Sequence, residues 1–138
     1  MLFRSEIEDG CCLQLGIGGL PNVVGAMIAE SDLKDLGVHT EMLVDSYVDL
    51  YNSRKITGAR KTLDAYKMSY TFAMGTNKVY EFLHNNPTCA SYPVNYINEP
   101  RVMAMNDRVI APIFAPVMAL TGHTLTQAVQ PRHLSVML

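Results

Sequence analysis

The stretch Cys11-Cys12-Leu13-Gln14-Leu15-Gly16-Ile17-Gly18-Gly19-Leu20-Pro21-Asn22 decides the fold of this chain. Its first five residues form an apolar run that stops at Gly16, which is typical of a buried strand in a mostly parallel sheet. Pro21 suits the first position of a helix. An apolar stripe at helical spacing follows, made of Val23, Val24, Met27 and Ile28. The stretch therefore predicts a strand, a glycine turn and a helix that ends near Ser31.

The same alternation of strand and helix continues along the chain. Residues 38–44 alternate in the manner of a second strand, and a helix carrying Val48, Leu50 and Tyr51 follows it. Residues 68–74 predict a third strand. Like residues 11–15, this strand is expected to be buried on both faces of the sheet. Gly75-Thr76 leads into another helix, which is predicted to end at Asn85-Asn86-Pro87. The economical fold is an α/β domain with a mostly parallel sheet flanked by helices.

The last part of the chain has a different pattern. From Ile110 onward, Pro112 and Pro116 stand inside what should be a strand, and proline cannot donate to a sheet ladder. We therefore expect an edge strand or an irregular segment there.

Composition limits the classes of function. The chain has 138 residues, of which 49% are hydrophobic and 17% charged, which fits one domain or part of a larger one. The net charge is -2 and like charges do not cluster, so neither a nucleic acid nor a membrane is expected as a partner. The sequence has no apolar run of about 20 residues and no signal peptide, which predicts a cytoplasmic protein.

The three cysteines predict neither a disulfide framework nor a zinc site. Cys11 and Cys12 are adjacent, Cys89 is distant, and no C-x-x-C pair occurs. We interpret all three as small buried hydrophobic residues and expect no metal.

The glycine turn has two interpretations. A turn of the form Gly16-x-Gly18-Gly19 before a helix can direct backbone N–H groups at an anion or a developing oxyanion. It can equally be a plain tight turn. It is not the dinucleotide fingerprint, because Pro21 occupies the position of the third glycine.

Glu41 lies near the end of the second predicted strand and shares a face with His39. A glutamate at such a position is most often simply solvated. The spacing of His39 fails the zinc-protease pattern, so a packed or hydrogen-bonded histidine is expected. Asp45 is four residues beyond Glu41 and could pair with it, although Asp45 or Ser46 is better explained as the cap of the next helix.

The glycine turn followed by His39-Thr40-Glu41-Met42 resembles the start of the carboxyl-terminal half of the acetyl-CoA hydrolase/transferase family, in particular butyryl-CoA:acetate and 4-hydroxybutyrate CoA-transferases. The resemblance covers residues 6–109, with supporting motifs at Phe72-Ala73-Met74-Gly75-Thr76 and Asn106-Asp107. It implies that Glu41 is the nucleophile. It also implies that the CoA thioester and its oxyanion are contacted by Gly16, Ile17, Gly18, Gly19 and Leu20, with the backbone N–H near Ile17 in the oxyanion hole.

The resemblance further implies a reaction. Coenzyme A would be transferred between a short-chain acyl-CoA and a small carboxylate such as acetate, through a glutamyl-CoA thioester and without a cofactor. The parent protein would be a homo-oligomer. An acyl-CoA hydrolase, in which water replaces the carboxylate, is the alternative within enzymes.

Residues 110–138 depart from the family pattern and are expected to form a divergent tail. Ile113 replaces a family asparagine, Ala119 an aspartate and His123 a glutamine. The family's second glycine motif is absent, so residues 1–138 are expected to be a single partial domain. An inactive, non-catalytic piece is therefore the third possibility.

Overall fold

The computed structural model of the chain describes residues 7–16, 18–112 and 134–137. Strands and helices alternate from residue 12 to residue 91, as predicted, and two short helices then precede the next strand. The strands are β1 (Cys12–Leu13), β2 (Gly37–Leu43), β3 (Met68–Ala73), β4 (Cys89–Ser91), β5 (Val109–Pro112) and β6 (Leu134–Met137). The helices are α1 (Gly19–Ala29), α2 (Asp45–Asn52), α3 (Asn77–Leu83), α4 (Val94–Ile97) and α5 (Pro100–Met103).

The six strands form one sheet in the order β4-β3-β2-β1-β5-β6. Every pairing between these strands is parallel. Parallel neighbours need crossover connections, and α1, α2 and α3 lie in the connections between β1 and β4. The predicted α/β fold with a mostly parallel sheet flanked by helices is confirmed.

Helices cover both faces of the sheet. Along β2, His39 and Thr40 point to opposite faces because side chains alternate. His39 Nε2 lies 2.8 Å from the carbonyl oxygen of Ile97 in α4. Thr40 instead reaches the backbone of Leu15, which Tyr47 of α2 also contacts. The helices α1, α2 and α3 therefore form one layer, and α4 lies over β2 and β3 in the other.

The order of the strands reverses at β1. The chain moves from β1 outward to β4, and then returns to the other side of β1 to form β5. In open α/β sheets, ligands bind outside the carboxyl ends of the strands at such a switch point. The glycine turn directly follows β1, so the fold places it at this point.

Helix α1 begins earlier and buries a narrower stripe than predicted. It starts at Gly19, which makes Pro21 its third residue. Val24 and Ile28 are buried in the core, whereas Val23 is 56% exposed. The predicted inclusion of Val23 was wrong because the stripe follows every third or fourth position, and Val23 lies beside that line.

Two strand predictions need correction. Strand β3 is buried at Met68 and Ser69 but not at its end, where Phe72 is 40% exposed. Strand β5 is not an edge, since β1 and β6 flank it. The pairing of β5 with β1 stops at Ile110. Pro112 lies beyond this pairing, so the N–H that proline lacks removes no hydrogen bond between β5 and β1. Pro116 lies outside the described residues.

Candidate functional site at the carboxyl ends of the central strands

The start of the glycine turn is tied to the helical layer and to β2. The backbone N–H of Leu15 donates to the buried hydroxyl of Tyr47. The hydroxyl of Thr40 donates to the Leu15 carbonyl oxygen over 3.3 Å. Burial raises the pKa of Tyr47 well above its ordinary value, which keeps its hydroxyl neutral. These contacts fix where the chain leaves the sheet.

The turn itself faces open space. A Cβ atom placed on Gly16 or Gly19 would meet no other described atom within 4 Å. Gly18 has φ +127°, a conformation that side chains rarely adopt, and it precedes the first turn of α1 without a side-chain capping bond. The first backbone N–H groups of α1 are therefore accessible to a ligand. Ile17 lies outside the described residues, and Leu20 is described only in its backbone.

Glu41 lies near the end of β2 and is half-buried. Its Oε2 atom accepts a hydrogen bond of 2.9 Å from Asn98 Nδ2, just after α4. Leu13 pairs with Val38, and Thr40, the residue before Glu41, donates its hydroxyl to the carbonyl oxygen of Leu15, the residue before Gly16. The fold thus brings the predicted glutamate to the predicted turn, and it adds Asn98, which the sequence did not suggest.

His39 occupies the same face as Glu41 but is fully buried. Since its Nε2 atom faces a carbonyl oxygen, that nitrogen carries the proton and donates it to Ile97. Burial lowers the pKa of His39, so the ring is neutral at pH 7. The prediction of a hydrogen-bonded histidine is confirmed.

A buried polar cluster lies beneath the amino-terminal half of β2. The ammonium group of Lys61 donates to the carbonyl oxygens of Val38 and Lys67, each at 2.8 Å, and to Ser69 Oγ at 2.9 Å. Ser69 donates in turn to Asp64 at 3.1 Å. Burial lowers the pKa of Lys61, and the three acceptors stabilise its charge.

The predicted cap role of Asp45 was wrong. Asp45 is the first residue of α2, and the helix has no side-chain capping bond. Its carboxylate accepts the backbone N–H of Thr76 at 2.9 Å and the Thr76 hydroxyl at 3.1 Å. Asp45 therefore joins the start of α2 to the start of α3.

The cysteines are free thiols in this structure. Cys11 and Cys12 are buried as predicted, and Cys89 is half-buried. Within the ranges that the structure describes, no cluster of His, Cys, Asp and Glu side chains is arranged to hold a metal ion. None of the described helices has the length and apolar character needed to cross a bilayer.

The fold and the site define a doubly wound parallel α/β domain with a carboxylate beside a glycine turn at the switch point. Residues 75–137 match the family model described as the acetyl-CoA hydrolase/transferase C-terminal domain. The matched range includes most of residues 110–138, which were expected to depart from the family pattern. The predicted start of a divergent tail after residue 109 stays a prediction.

Named relatives agree with this match. The chain is 57% identical over 110 residues to a butyryl-CoA:acetate CoA-transferase of Anaerostipes caccae, covering 80% of this chain and 25% of the relative. It is 50% identical over 130 residues to a probable butyrate:acetyl-CoA coenzyme A-transferase of Syntrophomonas wolfei, covering 94% and 29%. An acetyl-CoA hydrolase of Yarrowia lipolytica is 31% identical over 129 residues, covering 83% and 23%.

A solved structure gives the same result. The 4-hydroxybutyrate CoA-transferase of Porphyromonas gingivalis superimposes with a TM-score of 0.75 at 41% identity, covering 79% of this chain and 28% of that chain. The chain belongs to the acetyl-CoA hydrolase/transferase family. It spans about a quarter of the length of the curated relatives it matches.

Proposed function

We propose that this chain is part of the catalytic domain of a CoA-transferase. The enzyme would move coenzyme A between a short-chain acyl-CoA (butyryl-, 4-hydroxybutyryl- or acetyl-CoA) and a carboxylate such as acetate. The observation that carries the proposal is the Glu41 carboxylate, held by Asn98 beside an open glycine turn in a chain of this family. The names of the relatives support the class of substrate.

Glu41 would act as the nucleophile. One of its carboxylate oxygens attacks the carbonyl carbon of the acyl-CoA, the carbon–sulfur bond breaks, and CoA leaves as a thiolate. A mixed anhydride remains. The thiolate then attacks the carboxyl carbon of Glu41, the anhydride bond breaks, and the acyl group departs as a carboxylate. The glutamyl-CoA thioester is consumed by the acceptor carboxylate through the same steps in reverse.

This sequence of steps transfers no proton. A general base is therefore unnecessary. The reaction also needs no resident cofactor, because the CoA thioester is itself a substrate.

The glycine turn would stabilise the charge that develops on the thioester oxygen. We assign this contact to the backbone of residues 16–20, with the N–H near Ile17 in the oxyanion hole. The free space beside Gly16 and Gly19 leaves room for a thioester. Removing one such donor typically raises the barrier by about 3 kcal/mol.

Asn98 would orient the nucleophile. Its amide holds Oε2 of Glu41 and so leaves the other oxygen to attack. Geometry of this kind matters because a misplacement of about 1 Å can cost on the order of 100-fold in rate.

The test uses a full-length chimera in which this chain replaces the matching segment of the Anaerostipes caccae relative. Incubation with butyryl-CoA should add the mass of CoA less one water to the intact protein, because the thioester sulfur replaces a carboxyl oxygen of Glu41. Glu41→Ala should remove the adduct, while Glu81→Ala, on the exposed surface of α3, should retain it as a matched control. An adduct that persists in Glu41→Ala would show that the nucleophile is another residue.

Acetyl-CoA hydrolysis is the second candidate, and the hydrolase relative supports it. In a hydrolase, water would intercept the acyl-enzyme. Turnover of butyryl-CoA by the chimera should require added acetate if the chain comes from a transferase. Steady turnover without acetate would favour the hydrolase.

A further inference from the structure

In the part of the chain that the structure describes, three polar atoms without a hydrogen-bond partner lie on the sheet face that carries Glu41. Among the described residues, four buried side-chain atoms have no hydrogen-bond partner: Gln14 Oε1, His39 Nδ1, Thr71 Oγ1 and Asn106 Nδ2. Gln14 follows Cys12 by two residues, and Cys12 lies on the same face as Gly37, whose Cβ position is 3.3 Å from its sulfur. Gln14 and His39 therefore belong to the Glu41 face.

Thr71 lies on the same face and next to Glu41. Thr40 pairs with Tyr70 and Met42 with Phe72, so residue 71 stands opposite residue 41. Neighbouring strands are about 4.8 Å apart, and paired residues of parallel strands point to the same side. The backbone of Thr71 is itself held, because the Ser91 hydroxyl donates to its carbonyl oxygen over 3.2 Å.

The hydroxyl of Thr71 needs an acceptor. A buried hydroxyl without a partner is unfavourable, and such groups in native proteins usually mark a ligand, a water or a functional contact. The charged acceptor on the adjoining strand is the Glu41 carboxylate. Asn98 already approaches that carboxylate from the α4 layer, and Thr71 would approach it from β3.

We propose that Thr71 positions Glu41 by donating its hydroxyl hydrogen to the carboxyl group during turnover. This inference rests on the proposed function. When the CoA thiolate attacks the Glu41 carboxyl carbon, negative charge develops on the carboxyl oxygen that remains. Donors from Asn98 and Thr71 stabilise that oxygen and hold the group in place. The contribution arises after substrate binding, so it falls on kcat and not on KM.

The test compares two substitutions in the full-length chimera. Thr71→Val keeps the shape and removes the hydroxyl, and it should lower kcat roughly tenfold with KM unchanged. Thr71→Ser restores a hydroxyl and should recover most of the rate. The unfolding midpoint of Thr71→Val should equal or exceed that of the parent, since an unpaired buried hydroxyl is removed. Thr57→Val, which deletes a hydroxyl near the amino end of β2, should leave turnover unchanged.

Each other outcome overturns the inference in a distinguishable way. If Thr71→Val forms the CoA adduct at the parental rate while Glu41→Ala forms none, Thr71 has no such role and the proposed function stands. If Thr71→Ser is as slow as Thr71→Val, the effect comes from packing. If the parental chimera forms no adduct, the proposed function and the role of Thr71 fail together.

Discussion

The two ends of strand β2 have opposite surroundings. At the amino end, Gly37, Val38 and His39 are buried, and Lys61 donates one hydrogen bond to Val38 and two to Lys67 and Ser69. Towards the carboxyl end, Glu41 and Met42 are half-buried, the last residue, Leu43, is buried, and the glycine turn has free space around it. A strand clamped at one end can present a reactive carboxylate at the other in a defined position. We therefore expect stability to depend on the amino end and turnover on the carboxyl end.

The largest expected effect is that of isolating the chain. The 138-residue chain alone should show no CoA-transferase turnover and should self-associate or fold poorly. Phe72, Met74 and Val94 are 40%, 50% and 48% exposed near the open end of the sheet, and exposed apolar surface drives association. Light scattering and a butyryl-CoA assay check this. A monodisperse monomer with cooperative unfolding and acetate-dependent turnover would contradict it.

Substitution of Lys61 tests the contribution of the amino end of β2 to stability. Lys61→Met should destabilise the chimera by about 3 kcal/mol, because Ser69 and two carbonyl oxygens lose their buried cation. Lys78→Met is the matched control. Lys78 pairs with Asp49 on the surface, and an exposed pair contributes about 0 to 1 kcal/mol. Urea unfolding measures both, and equal losses would show that the buried cluster has no special role.

Substitution of Glu41 by aspartate tests the contribution of the carboxyl end of β2 to turnover. Glu41→Asp withdraws the carboxylate by one methylene, which should lower turnover about 100-fold. The urea midpoint should not change, because Glu41 is only half-buried and its partner Asn98 is exposed. If Glu41→Asp lost stability but kept its turnover, the carboxyl end of β2 would contribute to stability and not to turnover, contrary to this expectation.

The smallest expected effect is a pH dependence of stability due to His39. Because burial lowers its pKa, the unfolded chain binds more protons at this residue as the pH falls below about 6.5. The stabilisation is therefore complete above that pH and is lost on acidification towards the folded pKa. Lys61 and Asp64 are the neighbouring charges. His39→Gln should flatten the decline in urea midpoint between about pH 6.5 and 5, whereas the exposed His84→Gln should not.

The local parts of this site could be predicted from the sequence. The glycine turn follows an apolar run, and Glu41 shares a face with His39 because both lie on one strand with a period of two. Such patterns need only neighbouring residues. The predicted role of Asp45 was wrong because its hydrogen-bond partner, Thr76, is 31 residues away in the sequence. Neighbouring residues alone favoured a helix cap.

The contacts that orient the site depend on the folded topology. Asn98 and Glu41 are 57 residues apart, and Tyr47 reaches Leu15 across 32 residues. No periodicity marks either residue. Thr71 becomes notable only when the register of β2 and β3 is known. The sequence therefore locates the carboxylate and the turn, but the neighbours that hold them follow from the strand order.

The free thiol of Cys12, the first residue of β1, can be used to measure local opening of the structure. Burial raises the pKa of Cys12 to about 12, so few molecules carry the reactive thiolate at pH 8. Because the side chains of a strand stand off the faces of the sheet, an alkylating reagent would reach Cys12 only when the residues packed over that face, Lys61 among them, move away. The rate of alkylation would report how often this layer opens, at the strand from which the glycine turn emerges.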